Sequence, residues 1–412
     1  MSPPQKPSLR SVLPSRGEKL LGRPGEFLMS RLLLTNARLV TTDDIVLGSL
    51  YAEDGLIRGL DTEPATSPQA IDLGGDLLIP GLIELHTDNL ERHLMPRPGV
   101  HWAVLPALLA HDGEIAAAGI TTVLDAIGVG EADTDSLRGK DWNPLLSCLS
   151  DCRARGVLRA DHLLHVRCEL PAPNTISLFT PFHRHPLLKL ISLMDHTPGQ
   201  RQWENIEHAR IYYTGKKGWS EAKFQTKVAE ASELQTRFAK PHRAYFVDYA
   251  KTHGIPLASH DDTTPEHVAQ AADEGARISE FPTTIAAARL AREMGLSTVM
   301  GGPNVVRGGS HSGNVAAAEL ARLGLLDILS SDYVPGSLLS AAFTLHQRDG
   351  LDLPQAVRMV THHPAAALGL ADRGQIALGL RADLVQVHPI GLPDGSMHPV
   401  VRAVWREGRR VL

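Results

Sequence analysis

Eight short apolar runs, alternating with amphipathic stretches through the middle of the chain, constrain the fold more than any other feature. They are Leu78–Leu85, Thr121–Ile127, Asp161–Leu170, Leu188–Asp195, Ile255–His260, Ala276–Phe281, Ser297–Gly302 and Asp327–Asp332. Runs of this length between Gly, Pro and polar breaks read as buried strands. Several gaps carry apolar residues at helical spacing, as in Ala103–Ala118, Pro265–Glu274, Ile285–Met294 and Val315–Leu323. Eight strand–helix repeats over roughly 250 residues predict an α/β fold, a (β/α)8 TIM-type barrel. A last helix is expected at Pro354–His362.

Both ends of the chain read differently. Strands are expected at Leu32–Val40, Ile45–Ala52 and Leu56–Leu60, with Asp54-Gly55 as a hairpin signal, and again at Ala382–Val387 and Val400–Val404. This predicts a small β-sandwich-like domain from residues 29–76 and 371–412, flanking a barrel over 77–370. Residues 1–28 are rich in Pro, Arg, Ser and Gly and lack the apolar core of a secretory signal. A disordered leader is expected there, or an early start codon with Met29 as the natural opening. The polar region Phe179–Lys251 is too long for a simple strand-to-helix connection and is expected to be a binding loop.

Composition narrows the function classes. A formal net charge of −5 offers no global attraction to nucleic acid or an anionic membrane, so an anionic ligand needs a local cluster of cations. No run approaches the roughly 20 apolar residues that span a bilayer. Three cysteines without a pairing pattern point to a reducing compartment, hence the cytoplasm, with Cys148 and Cys152 as packing thiols on one helix. A homodimer is the open alternative to a monomer.

Active sites of such barrels lie at the carboxyl ends of the strands. The first strand runs into His86-Thr87-Asp88, where alternation points His86 and Asp88 the same way. Further ends carry Asp125, Glu169, Asp195-His196, His260-Asp261-Asp262, Glu280 and Asp332. Singly, each reads equally well as a helix cap, and Asp262-Thr263-Thr264-Pro265-Glu266 has a capping pattern. Together, carboxylates and imidazoles crowded on one face repel unless a divalent cation joins them. The seventh strand instead enters a Gly-rich loop containing Arg307, Ser310 and His311, a candidate anion cradle. Arg97, Arg167, Arg201, Lys216 and Lys217 fall in segments expected on the same face, and cations around a metal suit a polyphosphate.

Strand-one ligands, the Asp ending strand eight and the tail Thr361-His362-His363-Pro364 followed by Ala382-Asp383-Leu384-Val385 resemble the amidohydrolase superfamily. The segments Ser192–Gln202, Tyr212–Ser220, Ser259–Thr264 and Pro303–Asn314 are similar to one subgroup, the diphosphatases of the carbon–phosphorus lyase pathway. Strand one departs from the superfamily's usual His-x-His with His86-x-Asp88, and strand six offers Glu280 where a His is common. The resemblance implies hydrolysis of a sugar triphosphate, α-D-ribose 1-methylphosphonate 5-triphosphate, to the 5-phosphate and diphosphate. It implies one or two divalent ions (Zn, Mn or Fe) held by His86, Asp88, Glu169, His260 and Asp332. Glu169 is the candidate bridging group, with Lys217 as an outsider. Asp332 would handle the proton, with His196 and Glu280 as further ligands or proton carriers. Arg97, Lys216, Lys217, Arg307, Ser310 and His311 are the candidate phosphate-binding residues. Hydrolysis of a cyclic amide, deamination of a nucleobase, and a non-catalytic scaffold are the competing readings.

Overall fold

A computed structural model describes residues 31–131, 137–216, 218–310 and 313–412. The expected leader, 1–28, lies outside the described residues. Eight parallel strands form the central sheet in chain order: Leu82–Thr87, Ile120–Val129, Asp161–Glu169, Leu188–Met194, Leu257–His260, Ile278–Glu280, Ser297–Gly301 and Ile328–Ser330. A bridge between Thr87 and Asp332 closes the first strand on the last. It is carried by Asp332 N–H to the His86 carbonyl and Asp88 N–H to the Asp332 carbonyl, both 3.0 Å. Glu84 seals the seam from inside, its carboxylate accepting from the His86 and Ser331 N–H groups at 2.6 Å each.

The expected first strand, Leu78–Leu85, proves to be two. Leu77–Pro80 pairs with Arg31–Val40 and Leu384–Gly391 in the other sheet, and only Leu82–Thr87 enters the barrel. Gly81 lies at the crossing, where an added Cβ would come within 2.1 Å of Thr121 Oγ1. No side chain fits that approach, so glycine is required where the chain changes sheet.

The second sheet joins Arg31–Val40, Ile45–Glu53 and Leu56–Asp61 to Leu384–Gly391 and Met397–Arg406, which unites the two chain ends as expected. Val385, Val387 and Val404 share a core with Leu82, Ile120 and Leu329 of the barrel. The sheet is thereby fixed against the end of the barrel opposite the ligands.

Helices form at Val104–Ala117, Pro265–Asp273, Ile285–Glu293 and Ala317–Arg322, close to their expected bounds. The expected helix Pro354–His362 breaks into Leu353–Arg358 and His362–Leu368. Pro364 in the first turn of the second piece has no N–H and collides with a continued helix, so the break precedes it. The region Phe179–Lys251 is not one loop: it holds the fourth barrel strand and a helix, Glu221–His253, capped by the Ser220 side chain and ended by Gly254. Between them Gln202, Trp203, Tyr212 and Tyr213 line cavities. Cys148 and Cys152 lie on the helix Asn143–Ala154, and both are free thiols, as is Cys168. Among the described residues no helix is long and apolar enough to cross a membrane.

Candidate metal centre

The strand ends do converge. His86, at the end of the first strand, is 1% exposed, and its Nδ1 lies 2.7 Å from Glu280 Oε1. His260, ending the fifth strand, places its Nδ1 2.8 Å from the other oxygen of the same carboxylate. The two rings stack with centroids 5.9 Å apart. His196 follows the fourth strand, and its Nδ1 lies 2.6 Å from Glu169 Oε2. Glu169 also accepts from the His196 N–H at 2.9 Å, so it grips that residue twice. Three imidazoles are therefore each held at Nδ1 by a carboxylate, the buried Glu280 for two of them and the half-buried Glu169 for the third. A carboxylate accepts, so Nδ1 carries the proton, and in the neutral ring Nε2 keeps its lone pair.

Those Nε2 atoms face further carboxylates. His86 Nε2 is 3.8 Å from Asp88 Oδ1, and Asp332 completes a group whose ligand atoms lie within 4.8 Å of one another. His260 and His196 present Nε2 to Asp261 Oδ2 at 3.5 and 3.7 Å, a second such group. Asp261 and Asp332 both have left-handed backbone, with φ of 56° and 55°. Non-glycine residues adopt that conformation at a cost, and such strain concentrates at functional sites. Lone-pair nitrogens and carboxylates at this spacing fit a divalent cation, and the arrangement of carboxylate, histidine and open Nε2 is the one that orients metal-binding imidazoles.

Glu280 and Glu169 lie on the Nδ1 side of the histidines, where they hydrogen-bond the rings, and Glu280 also converges with His86 and His165. Asp261, absent from the expected set, stands among the converging atoms. Asp125 does not reach the site at all: it faces outward and binds His111 Nε2 at 2.7 Å and His162 Nδ1 at 2.8 Å beneath the helix Val104–Ala117. The capping sequence Asp262–Glu266 does start the helix Pro265–Asp273, with Thr264 as the cap, while Asp262 accepts from Arg201 Nη1 at 2.6 Å and is 0% exposed.

The charges follow from the packing. Burial alone would raise Asp88, but Arg167, whose Nη1 is 2.5 Å from Asp88 Oδ1, holds it down at about 2. Glu169 also resists burial and sits at about 2, held there by the charge and hydrogen bonds of His196. Among the described residues Asp332 has no comparable hydrogen-bonded partner, and burial raises its pKa above the ordinary value. Glu84, fully buried, is raised to about 7 by desolvation despite its two backbone donors.

Two adjoining cavities open on this cluster. One, about 240 Å³, reaches from His86, His260 and Asp332 to Arg307 and Ser310 of the seventh-strand loop. The other, about 490 Å³, lies on the Glu169 side, and both touch Arg167, His196 and Gln202. The loop begins as the short helix Gly302–Arg307, and Gly302 is needed because an added Cβ would meet the Ser337 backbone at 3.0 Å. Arg307 is exposed at the rim, whereas Arg97 is exposed in the Pro96–Val100 turn and lines neither cavity. Lys217, His311 and the side chain of Lys216 lie outside the described residues. Arg167 and Arg201, expected in loops, are 5% and 4% exposed, Arg167 on the third strand itself.

Sequence reasoning missed Glu84 and His165, and placed Asp261 at a strand end without giving it a role. Glu84 was detectable as a lone acid in an apolar strand, two residues before His86 and so on the same face. His165 was detectable in the same way, two before Arg167. Its Nε2 lies 2.5 Å from Ser192 Oγ, which in turn donates to Glu280 at 2.8 Å.

A parallel barrel with paired histidines and carboxylates at the strand ends defines a metal-hydrolase architecture. Residues 219–412 match the Amidohydrolase family model. The chain is 46% identical over 382 residues to the alpha-D-ribose 1-methylphosphonate 5-triphosphate diphosphatase of Escherichia coli (strain K12), covering 92% of this chain and 100% of that protein. The chain belongs to the amidohydrolase family. Solved structures give the same fold. N-acetylglucosamine-6-phosphate deacetylase from Pasteurella multocida superposes with a TM-score of 0.58 at 14% identity, over 92% of this chain and 99% of that one. The 5-methylcytosine deaminase from Klebsiella pneumoniae gives 0.60 at 17% identity, over 92% and 98%.

Proposed function

We propose that the protein is a metal-dependent diphosphatase that hydrolyses α-D-ribose 1-methylphosphonate 5-triphosphate to the 5-phosphate and diphosphate. The similarity to the Escherichia coli diphosphatase carries this reading, because it covers 92% of this chain and 100% of that protein. The Nε2 atoms of His86, His196 and His260, with Asp88, Asp261 and Asp332, would hold one or two divalent ions. Zn, Mn and Fe all accept such a donor set. When bound, the metal activates water and neutralises phosphoryl charge.

The chain's own residues supply the rest. Burial raises the proton affinity of Asp332, which suits a carboxylate that must take a proton from the attacking water. The new bond joins that water oxygen to phosphorus as the phosphate–diphosphate bond breaks. Glu280 and Glu169 keep the histidines in one tautomer, and Arg167 keeps Asp88 ionised. Arg307 and Ser310 lie where charge grows on the departing diphosphate, an electrostatic contribution that strengthens as the transition state forms. The reaction would take place in a reducing, cytoplasmic setting, consistent with three free thiols.

The test is a substrate panel. Purified protein is incubated with the ribose triphosphate, simple nucleoside triphosphates, hydantoin-like amides and amino-bearing nucleobases, and diphosphate, ring-opened acid and ammonia are measured. Diphosphate from the ribose triphosphate is expected; ring-opened acid from the amides or ammonia from the nucleobases, with no diphosphate, would reject the reading.

A further inference from the structure

The two cavities differ in chemistry, and that difference orients the substrate. The larger one is walled by the aromatic rings of Trp203, Tyr212 and Tyr213 and by the carboxylates Glu131 and Glu169, with Arg138 beside them. The smaller has Arg307, Gly309 and Ser310 at its far end. We infer that the larger cavity takes the ribose and its C1 phosphonate, that Arg167, His196 and Gln202 at the junction take the 5-phosphate, and that the smaller cavity takes the β and γ phosphates. The inference rests on the functional reading above and adds the direction in which the substrate lies.

Buried polar atoms without partners among the described residues border these cavities. Thr197 is 5% exposed and lines the larger one, and among the described residues its hydroxyl has no hydrogen-bond partner. Arg167, equally buried, lines both cavities, and its Nε likewise has no partner among the described residues. Leaving such groups dry and unpaired is costly, so proteins retain them where something else supplies the bond.

The polarity follows from charge and shape. The carboxylates of the smaller cavity, Asp261 and Asp332, are ones that would hold the metal, whereas Glu131 and Glu169 in the larger one lie outside that set and can accept from sugar hydroxyls. Aromatic faces cover the C–H surface of a sugar and offer nothing to a polyanion. Tyr212 and Tyr213 lie in a π-helical turn, Tyr212–Lys216, an irregularity that often marks a ligand-contacting segment. Among the described lining residues Arg138 and the shared Arg167 are the cations of this cavity, which suits the single negative charge of a phosphonate ester.

Product binding to the metal-loaded protein separates the two ends. Affinities for inorganic diphosphate and for α-D-ribose 1-methylphosphonate 5-phosphate are measured by calorimetry in the wild type, Thr197→Val, Tyr213→Ala and Arg307→Ala. Thr197→Val is nearly isosteric and Arg307 is exposed, so these variants fold even if Tyr213→Ala does not. Thr197→Val should weaken the sugar phosphate by about 3- to 10-fold and leave diphosphate unchanged. Tyr213→Ala should weaken it by about 10-fold, while Arg307→Ala should weaken diphosphate alone. The reverse pattern, or equal sensitivity of both products to every variant, overturns the orientation. A wild type that binds neither product overturns the functional reading instead.

Discussion

Replacing Glu280 by Gln tests whether that carboxylate acts through the histidines. The charged side chain accepts from two Nδ1–H groups at once, His86 at 2.7 Å and His260 at 2.8 Å. Glutamine has nearly the same shape but only one accepting oxygen; its other terminus is an amide donor. One imidazole must then move its proton from Nδ1 to Nε2, which removes the lone pair that faces the cluster. Losing an outer partner of a metal-binding histidine lowers metal affinity by roughly 10- to 100-fold, about 1.4 to 2.7 kcal/mol. Competition with a chromophoric chelator measures that affinity, and the thermal midpoint of the metal-free protein checks that folding is intact. A Glu280→Gln protein with wild-type affinity and turnover would refute the reasoning, because the carboxylate would not be setting the tautomers.

The other predictions are independent of that one. Asp332→Asn should keep the wild-type thermal midpoint yet lose at least 100-fold in kcat at saturating metal, measured by diphosphate release. Removing the metal with a strong chelator should abolish turnover, and adding back a divalent ion should restore it. Gly81→Ala should destabilise the fold by about 1–3 kcal/mol in denaturant melts, since its Cβ meets the branched side chain of Thr121 at 2.1 Å from Oγ1. His162, beneath the first barrel helix, is pulled down by burial but lifted further by Asp125 and Asp112, to about 9. A raised folded-state value stabilises the protein below the unfolded pKa of about 6.5, and that stability fades as pH rises toward 9. The wild type should therefore lose more stability than His162→Gln across that window in pH-dependent melts.

The barrel was legible because its strands are short apolar runs at regular intervals, and period alone identifies them. The exact start of the barrel was not. Leu77–Pro80 and Leu82–Thr87 form one continuous apolar stretch, and nothing local says that Gly81 hands the chain from one sheet to another. Which residues gather was largely legible too: His86, Asp88, His196, His260 and Asp332 all lie at the ends where barrel strands must meet. What each one does was harder to read. Glu280 and Glu169 have the composition of ligands, and what the sequence hides is that both lie on the Nδ1 side of the rings. Asp125 misled for a simple reason: a residue near a strand end points inward or outward with the pleat, and a shift of one residue reverses it. The interior polar set, Glu84 with His165 and Ser192, was hidden because single polar residues in apolar strands resemble noise until the strands close.

The most direct test of the account is anomalous scattering from crystals grown with a divalent metal. The account predicts ion density in contact with the Nε2 atoms of His86 and His260 and with the carboxylate of Asp332. Density confined to the outward-facing His111, Asp125 and His162, with none between the strand ends, would contradict it.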